Sequence, residues 1–383
     1  MLIGVSVYGE DKPGIIYAIS KALADKGANI VDIEQNVIQG MFVMFLVAEA
    51  ENAEEVVQEV KKVAEDINVN VLIRPFEKKK EEKKELYVVT ILGRDRVGIV
   101  RDITRIFLEF GINVVKTSLT ARGELISIEF TISAEEDIEA VKNRLRKEAE
   151  KLGLDIVLQP YEIYRKEKRL VVFDMDSTLV DAEIIDELAK EAGVYEEVKR
   201  LTEKAMKGEM DFKSALVERV KLLKGLPAEV LEKIYSNIKL TNGAKELIMN
   251  LKQAGYKVAV VSGGFSYFTD RLKEELGLDY AFGNELEIKD GKITGRIKGR
   301  VIDAEEKAKI IDEIAKIENI KPENIVAVGD GANDRLMIEK AGLGIAFNAK
   351  EALKEVADGS ISKENLIGIA SLLKIHSEFR KTL

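Results

Sequence analysis

The chain has 383 residues, 46% of them apolar and 33% charged, with a net charge of −9 and no cysteine. That length holds two or three domains with cores of their own. The missing cysteines exclude disulfides and thiolate metal sites, and the negative balance argues against general nucleic-acid binding. No apolar run reaches the ~18 residues of a membrane helix. The opening MLIGVSVYGEDKPG lacks the basic start and long apolar stretch of a signal peptide, so a cytoplasmic location is the default expectation. Lysine and glutamate are abundant, a balance resembling thermophile surfaces. The one histidine, His376, reads as a surface residue on a last helix, which leaves acid–base chemistry to carboxylates and lysines.

The first elements run strand (LIGVSVYG), helix (GIIYAISKALADKG, ended by Gly27), two strands joined at Gly40 (NIVDIEQNVIQ and MFVMFLVAEA), helix (AEEVVQEVKKVAEDI) and strand (VNVLIRP). EKKKEEKKE at 77–85 has no apolar residue and reads as a solvated linker or exposed helix end. Beyond it the order returns: strands ELYVVTILG, INVVKTSLTA, LISIEFTIS and about 154–164, with helices about 98–110 and 135–151. Gly9, Asp11, Gly14, Ile15, Gly27, Asn29 and Val31 recur 84 positions later as Gly93, Asp95, Gly98, Ile99, Gly111, Asn113 and Val115. A single register held over such a distance marks an internal duplication. Each β-α-β-β-α-β unit predicts a four-stranded antiparallel sheet with two helices on one face, the ferredoxin-like arrangement.

A glycine at the first strand–helix turn, followed by Gly-x-Asn before the second strand, resembles the ACT domain over about 1–164. That resemblance implies amino-acid binding and regulation of amino-acid metabolism. Glycines admit a ligand close to the backbone, the helix starts at Gly14 and Gly98 offer N–H groups to a carboxylate, and Asn29 and Asn113 both donate and accept. Asp11, Gly14, Asn29, Asp95, Gly98 and Asn113 are therefore the candidate effector residues. The alternative is that the glycines only shape turns and the repeats serve dimerisation.

RLVVFDMDSTLV at 169–180 is a buried strand ending in two aspartates two apart, so both carboxylates can face one centre at the end of a parallel strand. Residues about 184–240 read as four helices inserted after that motif, a cap that would exclude water. YKVAVVSGG at 256–264 is a second buried strand, whose Ser262, Gly263 and Gly264 form a phosphate cradle. Lys307 opens the helix KAKIIDEIAKI and can reach a phosphate as a point charge. NIVAVGDGAND at 324–334 is a third strand, ending in Asp330 and Asp334, hard donors suited to Mg²⁺.

DMDSTLV, SGG, a lysine and GDGAND in that order resemble the haloacid dehalogenase superfamily over about 168–383. The implied fold class is α/β: a Rossmann-like domain with a helical cap, preceded by two ferredoxin-like ACT domains. The expected division is 1–77, a linker at 78–85, 86–165 and 166–383. The resemblance implies Asp174 as nucleophile and Asp176 as general acid and then base. It puts Mg²⁺ between Asp174, Asp330 and the backbone carbonyl of Asp176, with Asp334 supporting. Ser262 and Lys307 would hold the phosphoryl oxygens, with Gly263 and Asn333 also at the substrate.

DMDSTLVDAEIIDELAKEAGV, FKSALVERVKLLKGLP, VVSGGF and GLDYAFGNELEIKDGKITG are similar to phosphoserine phosphatases. By that resemblance Glu183 meets the substrate's ammonium group, Arg219 its carboxylate, and Phe212 and Met206 close around it. The charges suit an amino acid, since Arg forks onto carboxylates. Expected partners are phosphoserine as substrate, L-serine as effector, and a second copy of the chain in a homodimer. A fragment starting near Lys166 is expected to fold and work alone.

Overall fold

The computed structural model describes residues 1–78, 85–121, 125–134, 137–362 and 365–375, with the Met206 side chain excepted. The central part of the 77–85 linker and His376 lie outside the described residues. Contacts divide the chain into two compact units, Met1–Lys83 and Lys84–Leu383.

The first unit runs β1 (Leu2–Glu10), α1 (Ile15–Asp25), β2 (Asn29–Ile38), β3 (Met41–Glu49), α2 (Ala53–Asp66) and β4 (Asn70–Pro75). Its antiparallel sheet has the order β2-β3-β1-β4. Alternation decides which side is buried: Ile3, Val5 and Val7 of β1 and Phe42, Met44 and Leu46 of β3 pack under Ile19, Leu23, Val56 and Val60 of the helices. Asn52 begins α2 by accepting the Glu55 N–H, though at a long 3.4 Å.

The second unit opens with the repeat: β5 (Glu85–Gly93), α3 (Ile99–Glu109), β6 (Asn113–Ala121), β7 (Ile126–Ala134), α4 (Ile138–Leu152) and β8 (Leu154–Pro160). The strand expected over about 154–164 stops at Pro160, because residues 161–164 turn into a short helix, α5 (Tyr161–Tyr164), whose Tyr161 carbonyl accepts the Arg165 N–H. There follow β9 (Leu170–Phe173), the cap helices α6 (Ile184–Ala192), α7 (Tyr195–Met206), α8 (Phe212–Leu222) and α9 (Glu229–Asn237), then α10 (Ala244–Gln253), β10 (Lys257–Phe265), α11 (Ser266–Leu276), β11 (Tyr280–Lys289) and β12 (Lys292–Lys298). The chain continues with α12 (Ala304–Glu318), β13 (Ile325–Gly329), α13 (Arg335–Lys340), β14 (Leu343–Phe347), α14 (Glu351–Lys354), β15 (Gly359–Ile361) and α15 (Gly368–Leu372).

Six strands, β11-β10-β9-β13-β14-β15, run parallel in a doubly wound order. Both faces are covered: Val171, Phe173, Val258, Val260, Val326 and Val328 enter one core, while Leu170, Val172, Ala259, Val261, Ile325 and Ala327 enter the other. That is why these segments read as unbroken apolar runs. Strand order reverses around β9, and the carboxyl ends beside such a reversal form the binding crevice.

The sheet does not end at β15. Antiparallel pairing of Gly359 with Val157 and Ser360 with Ile156 joins it to β8, giving eleven strands that cross the expected 165/166 boundary. A side chain on Gly359 would lie 2.4 Å from a Val157 methyl, so the join needs glycine there. Asp155 accepts the Ser362 N–H at 2.8 Å, and Gln159 donates to the Gly342 carbonyl at 3.1 Å. Among the described residues, no helix is long and apolar enough to cross a membrane.

Candidate active site

The three motifs converge at the carboxyl ends of β10, β9 and β13. Asp174 follows β9 directly, and its N–H still donates to Val328 of β13 at 2.9 Å. The chain then doubles back, with the N–H groups of Leu179 and Val180 both reaching the Met175 carbonyl at 2.9 and 3.0 Å. Ser177 takes a left-handed conformation (φ 55°) within this bend, a costly one for a non-glycine residue.

Asp176 anchors the cap to the sheet. Its Oδ1 accepts the Ile184 N–H at the start of α6 at 2.9 Å, and its Oδ2 accepts the Ser262 hydroxyl at 3.2 Å. The Ser262 oxygen in turn accepts the Gly264 N–H at 2.8 Å. The hydroxyl expected on phosphoryl oxygens is thus committed to Asp176 here. A side chain on Gly264 would sit 2.6 Å from Asp176 Oδ2, and one on Gly263 would sit 3.0 Å from the Phe212 ring, so both positions must stay bare for carboxylate and cap to close in.

Lys307 is fully buried on α12, a helix whose N-cap Asp303 accepts the Glu306 N–H. Its ammonium donates to Asp174 Oδ1 at 2.7 Å and to Asp334 Oδ1 at 2.6 Å. The other Asp334 oxygen accepts the N–H groups of Asp330 and Gly331, each at 3.1 Å, which folds the Gly-rich loop around it. Gly329 leaves room for that carboxylate; a side chain there would lie 2.4 Å from it. Asn333 is half-buried, with its amide oxygen over Gly331.

Carboxylate oxygens of Asp174, Asp330 and Asp334 lie within 4.8 Å of one another, a group able to hold a metal ion. The Asp176 carboxylate is outside it. Burial and the neighbouring Asp334 push Asp174 well above the usual carboxylate range against the pull of Lys307. Burial and Asp334 raise Asp330 to about 7, and burial and Glu183 raise Asp176 to about 7. Lys307 resists the opposite pressure of burial because Asp174 and Asp334 hold its proton. The cluster is short of positive charge, and its donors are hard oxygens, which fits Mg²⁺.

Glu183 and Arg219 face the site from the cap. Glu183 precedes α6; solvent reaches it, yet crowding by surrounding atoms raises its carboxyl while the Ser177 hydroxyl, donating at 2.8 Å, pulls the other way. Arg219 is buried on α8, donating to the Ala215 carbonyl at 3.3 Å and to the Thr202 hydroxyl at 3.2 Å. Burial depresses its guanidinium, and the charges of Glu183 and Asp186 oppose that. The Met206 side chain lies outside the described residues.

The candidate effector residues are not gathered in the same way. Gly14 and Gly98 do begin α1 and α3, in left-handed turns of φ 100° and 95°. The register, however, pairs Asn29 with Glu49 and Glu49 with Leu2, at the far end of the sheet from Glu10. Asn113, opposite Ser133 and Leu86, is likewise remote from Gly93. Strand length sets roughly 25 Å between the two ends, so one small ligand cannot touch both within a repeat. The loops also differ chemically. Asp102 accepts Arg96 at 2.8 Å and Arg101 at 2.9 Å, whereas the same positions of the first repeat are Ala18, Lys12 and Tyr17. Asp11 is exposed and gives its N–H to the Gly40 carbonyl at 2.9 Å; Asp95 is exposed as well.

Sequence reasoning missed Ser177 and Asn284. Fully buried Asn284 donates to the Gly263 carbonyl at 2.8 Å and accepts the Ile302 N–H at 2.9 Å, tying the SGG turn to the approach of α12. A lone asparagine inside a strand pattern was the available signal.

Family models match as haloacid dehalogenase-like hydrolase over 168–342 and as ACT domain over 4–65 and again over 85–159. The phosphoserine phosphatase of Archaeoglobus fulgidus is 71% identical over 342 residues, covering 89% of this chain and 99% of that one. A phosphoserine phosphatase solved as a phospho-aspartyl intermediate analogue is 55% identical, with a TM-score of 0.51, over 53% of this chain and 98% of its own. A substrate-bound phosphoserine phosphatase has the same identity and TM-score over 54% and 98%. With the catalytic geometry, two ACT domains and a relative matched over nearly its whole length, the chain belongs to the phosphoserine phosphatase family of haloacid dehalogenase-like hydrolases.

Proposed function

We propose that the chain hydrolyses O-phospho-L-serine to L-serine and phosphate through an aspartyl-phosphate on Asp174, as the last step of serine formation. The observation that carries this reading is the pairing of a phosphate-facing group (Asp174, Lys307, Asp330, Asp334) with an opposite-charge pair, Glu183 and Arg219, at the cap. The phosphate group of one molecule would meet the first set while its ammonium and carboxylate met the second. Asp174 attacks phosphorus, the bond to the serine oxygen breaks, and Asp176 gives that oxygen its proton. Asp176 then takes a proton from water as the water oxygen attacks phosphorus, and the bond to Asp174 breaks, releasing phosphate. Asp176, raised to about 7, suits a group that must first give and then accept. Asp174, Asp330 and the Asp176 carbonyl would hold Mg²⁺, with Asp334 supporting; when bound it neutralises charge on the phosphoryl oxygens. Ser262, Gly263, Lys307 and Asn333 line the phosphate side.

We further read residues 1–77 and 86–165 as sensing domains on a cytoplasmic, homodimeric phosphatase spanning 166–383, with L-serine as effector. Because Gly14 and Asn29 lie at opposite ends of a sheet, an effector touching both types of residue needs two ACT domains side by side.

Phosphate release from L-phosphoserine with Mg²⁺, with and without L-serine, tests the whole reading. Arg219→Ala should weaken transition-state binding of phosphoserine by roughly 2–4 kcal/mol and leave an aryl phosphate nearly untouched. Equal losses on both substrates would reduce Arg219 to a support of the cap.

A further inference from the structure

The sheet of the first repeat has two unlike faces. One is buried under α1 and α2. On the other, Tyr8, Val43, Phe45 and Leu72 are 44–50% exposed. The rings of Phe45 and Phe76 lie 6.1 Å apart on that side, above Gly4. In the second repeat the same face is covered. Leu92 and Ser127, 84 positions after Tyr8 and Val43, are buried, and so is Val157, which enters the phosphatase core. The first repeat thus leaves bare an apolar sheet face that its duplicate buries. The strand register sorts this face into rows. One row runs Asp32, Val47, Gly4, Arg74; in the next Phe45 lies beside Ser6, and in the third Val43 lies beside Tyr8. Asp32 and Arg74 hold opposite edges of their row, both exposed, and neither is in an ion pair among the described residues.

We propose that this face packs against the same face of a second copy of the chain, about a two-fold axis parallel to the strands. Such a rotation exchanges the two edges of the sheet and keeps every row level. Given the order β2-β3-β1-β4, β2 then lies over the partner's β4, and β3 over the partner's β1. Asp32 meets the partner's Arg74, and Arg74 meets the partner's Asp32. Tyr8 meets the partner's Val43, and Phe45 lies over the partner's Ser6, whose small side chain leaves room for a ring. A two-fold axis across the strands would instead stack β2 on β2 and bring the carboxylates of Asp32 and Glu34 onto the same strand of the other copy, which like charges oppose. Four strands ~4.8 Å apart and about six residues long give roughly 400 Å² of plane on each copy, close to the lower limit of a specific interface once side chains interdigitate. The dimer should therefore be reversible. Face-to-face pairing covers neither the helices nor the glycine turn before α1, so that turn stays open to a ligand. The inference rests on the homodimer reading above.

Sedimentation velocity on the full chain tests it. The parent should show a concentration-dependent dimer. Val43→Glu, at an exposed position outside the buried core, should stay monomeric at concentrations where the parent pairs. Asp32→Arg and Arg74→Asp should each raise the dimer Kd ~10- to 100-fold, because each change sets two like-charge pairs across the interface. Combined in one chain they rebuild both pairs with the charges exchanged, and the Kd should return to within about threefold of the parent. That rescue also shows that the single variants fold. A Val43→Glu chain that pairs as tightly as the parent overturns the proposed interface and leaves a homodimer formed by another surface. Charge reversals that do not restore each other overturn it as well. A parent that stays monomeric at ~100 µM overturns the homodimer reading and the interface together.

Discussion

Asp174→Asn should abolish turnover of phosphoserine, by ~10⁴-fold or more, while leaving the protein as stable as before or slightly more so. An amide oxygen can still accept the Lys307 ammonium, so the side chain keeps its partner. What it loses is the charge proposed to attack phosphorus. Stability should not suffer, because burial and Asp334 already press Asp174 toward its neutral form, and an amide removes that repulsion. The check is two measurements on one sample: single-turnover phosphate release, and thermal melting in metal-free buffer. Activity within about tenfold of the parent would defeat the covalent mechanism.

Lys307→Met should fail in the opposite thermodynamic sense. The methionine fills much of the space but leaves Asp174 and Asp334 buried and facing each other without the shared ammonium. Breaking a buried ion pair from one side costs roughly 3–5 kcal/mol, and turnover should fall by ~10³-fold, since on the proposed mechanism the phosphoryl oxygens lose a fixed charge. Added Mg²⁺ should recover part of the lost stability, because a dication at Asp174 and Asp330 offsets the same excess of negative charge. Denaturant unfolding with and without Mg²⁺ measures this directly. Equal destabilisation in both buffers would mean that the metal and Lys307 do not share a site.

Much of this arrangement was readable in the residues. The unbroken apolar runs ending in Asp174, Ser262 and Asp330 mark strands covered on both faces, and their ends do meet at one crevice. The 84-residue register gave both ferredoxin-like units, because alternation in β1 and β5 and the glycines before α1 and α3 are local properties. The join between β8 and β15 was not readable. β15 is three residues, Gly-Ser-Ile, too short to carry a period, and its partner is some 200 residues earlier in the chain. Asn284 escaped for a related reason, since the Gly263 carbonyl it holds lies 21 residues earlier and on another strand, while Ser177 escaped because the tight bend that aims its hydroxyl at Glu183 leaves no periodic pattern. The effector residues were chosen by motif, and the motif does not reveal that Gly14 and Asn29 sit at opposite ends of one sheet.

The eleven-stranded sheet changes what counts as a separable part of this protein. A phosphoserine phosphatase solved as a phospho-aspartyl intermediate analogue covers 53% of this chain over 98% of its own. In this chain, however, cutting near Lys166 would strip β15 of its two pairings to β8 and remove Val157 from the core it shares with the phosphatase, uncovering apolar surface on which chains associate. The fragment should keep its activity and lose its solubility. Calorimetry on the full chain should resolve two transitions, a small one for the first repeat and a large one in which the second repeat and the phosphatase melt together. For transplantation between proteins, the module is therefore the second repeat together with the enzyme, and only the first repeat is an interchangeable attachment.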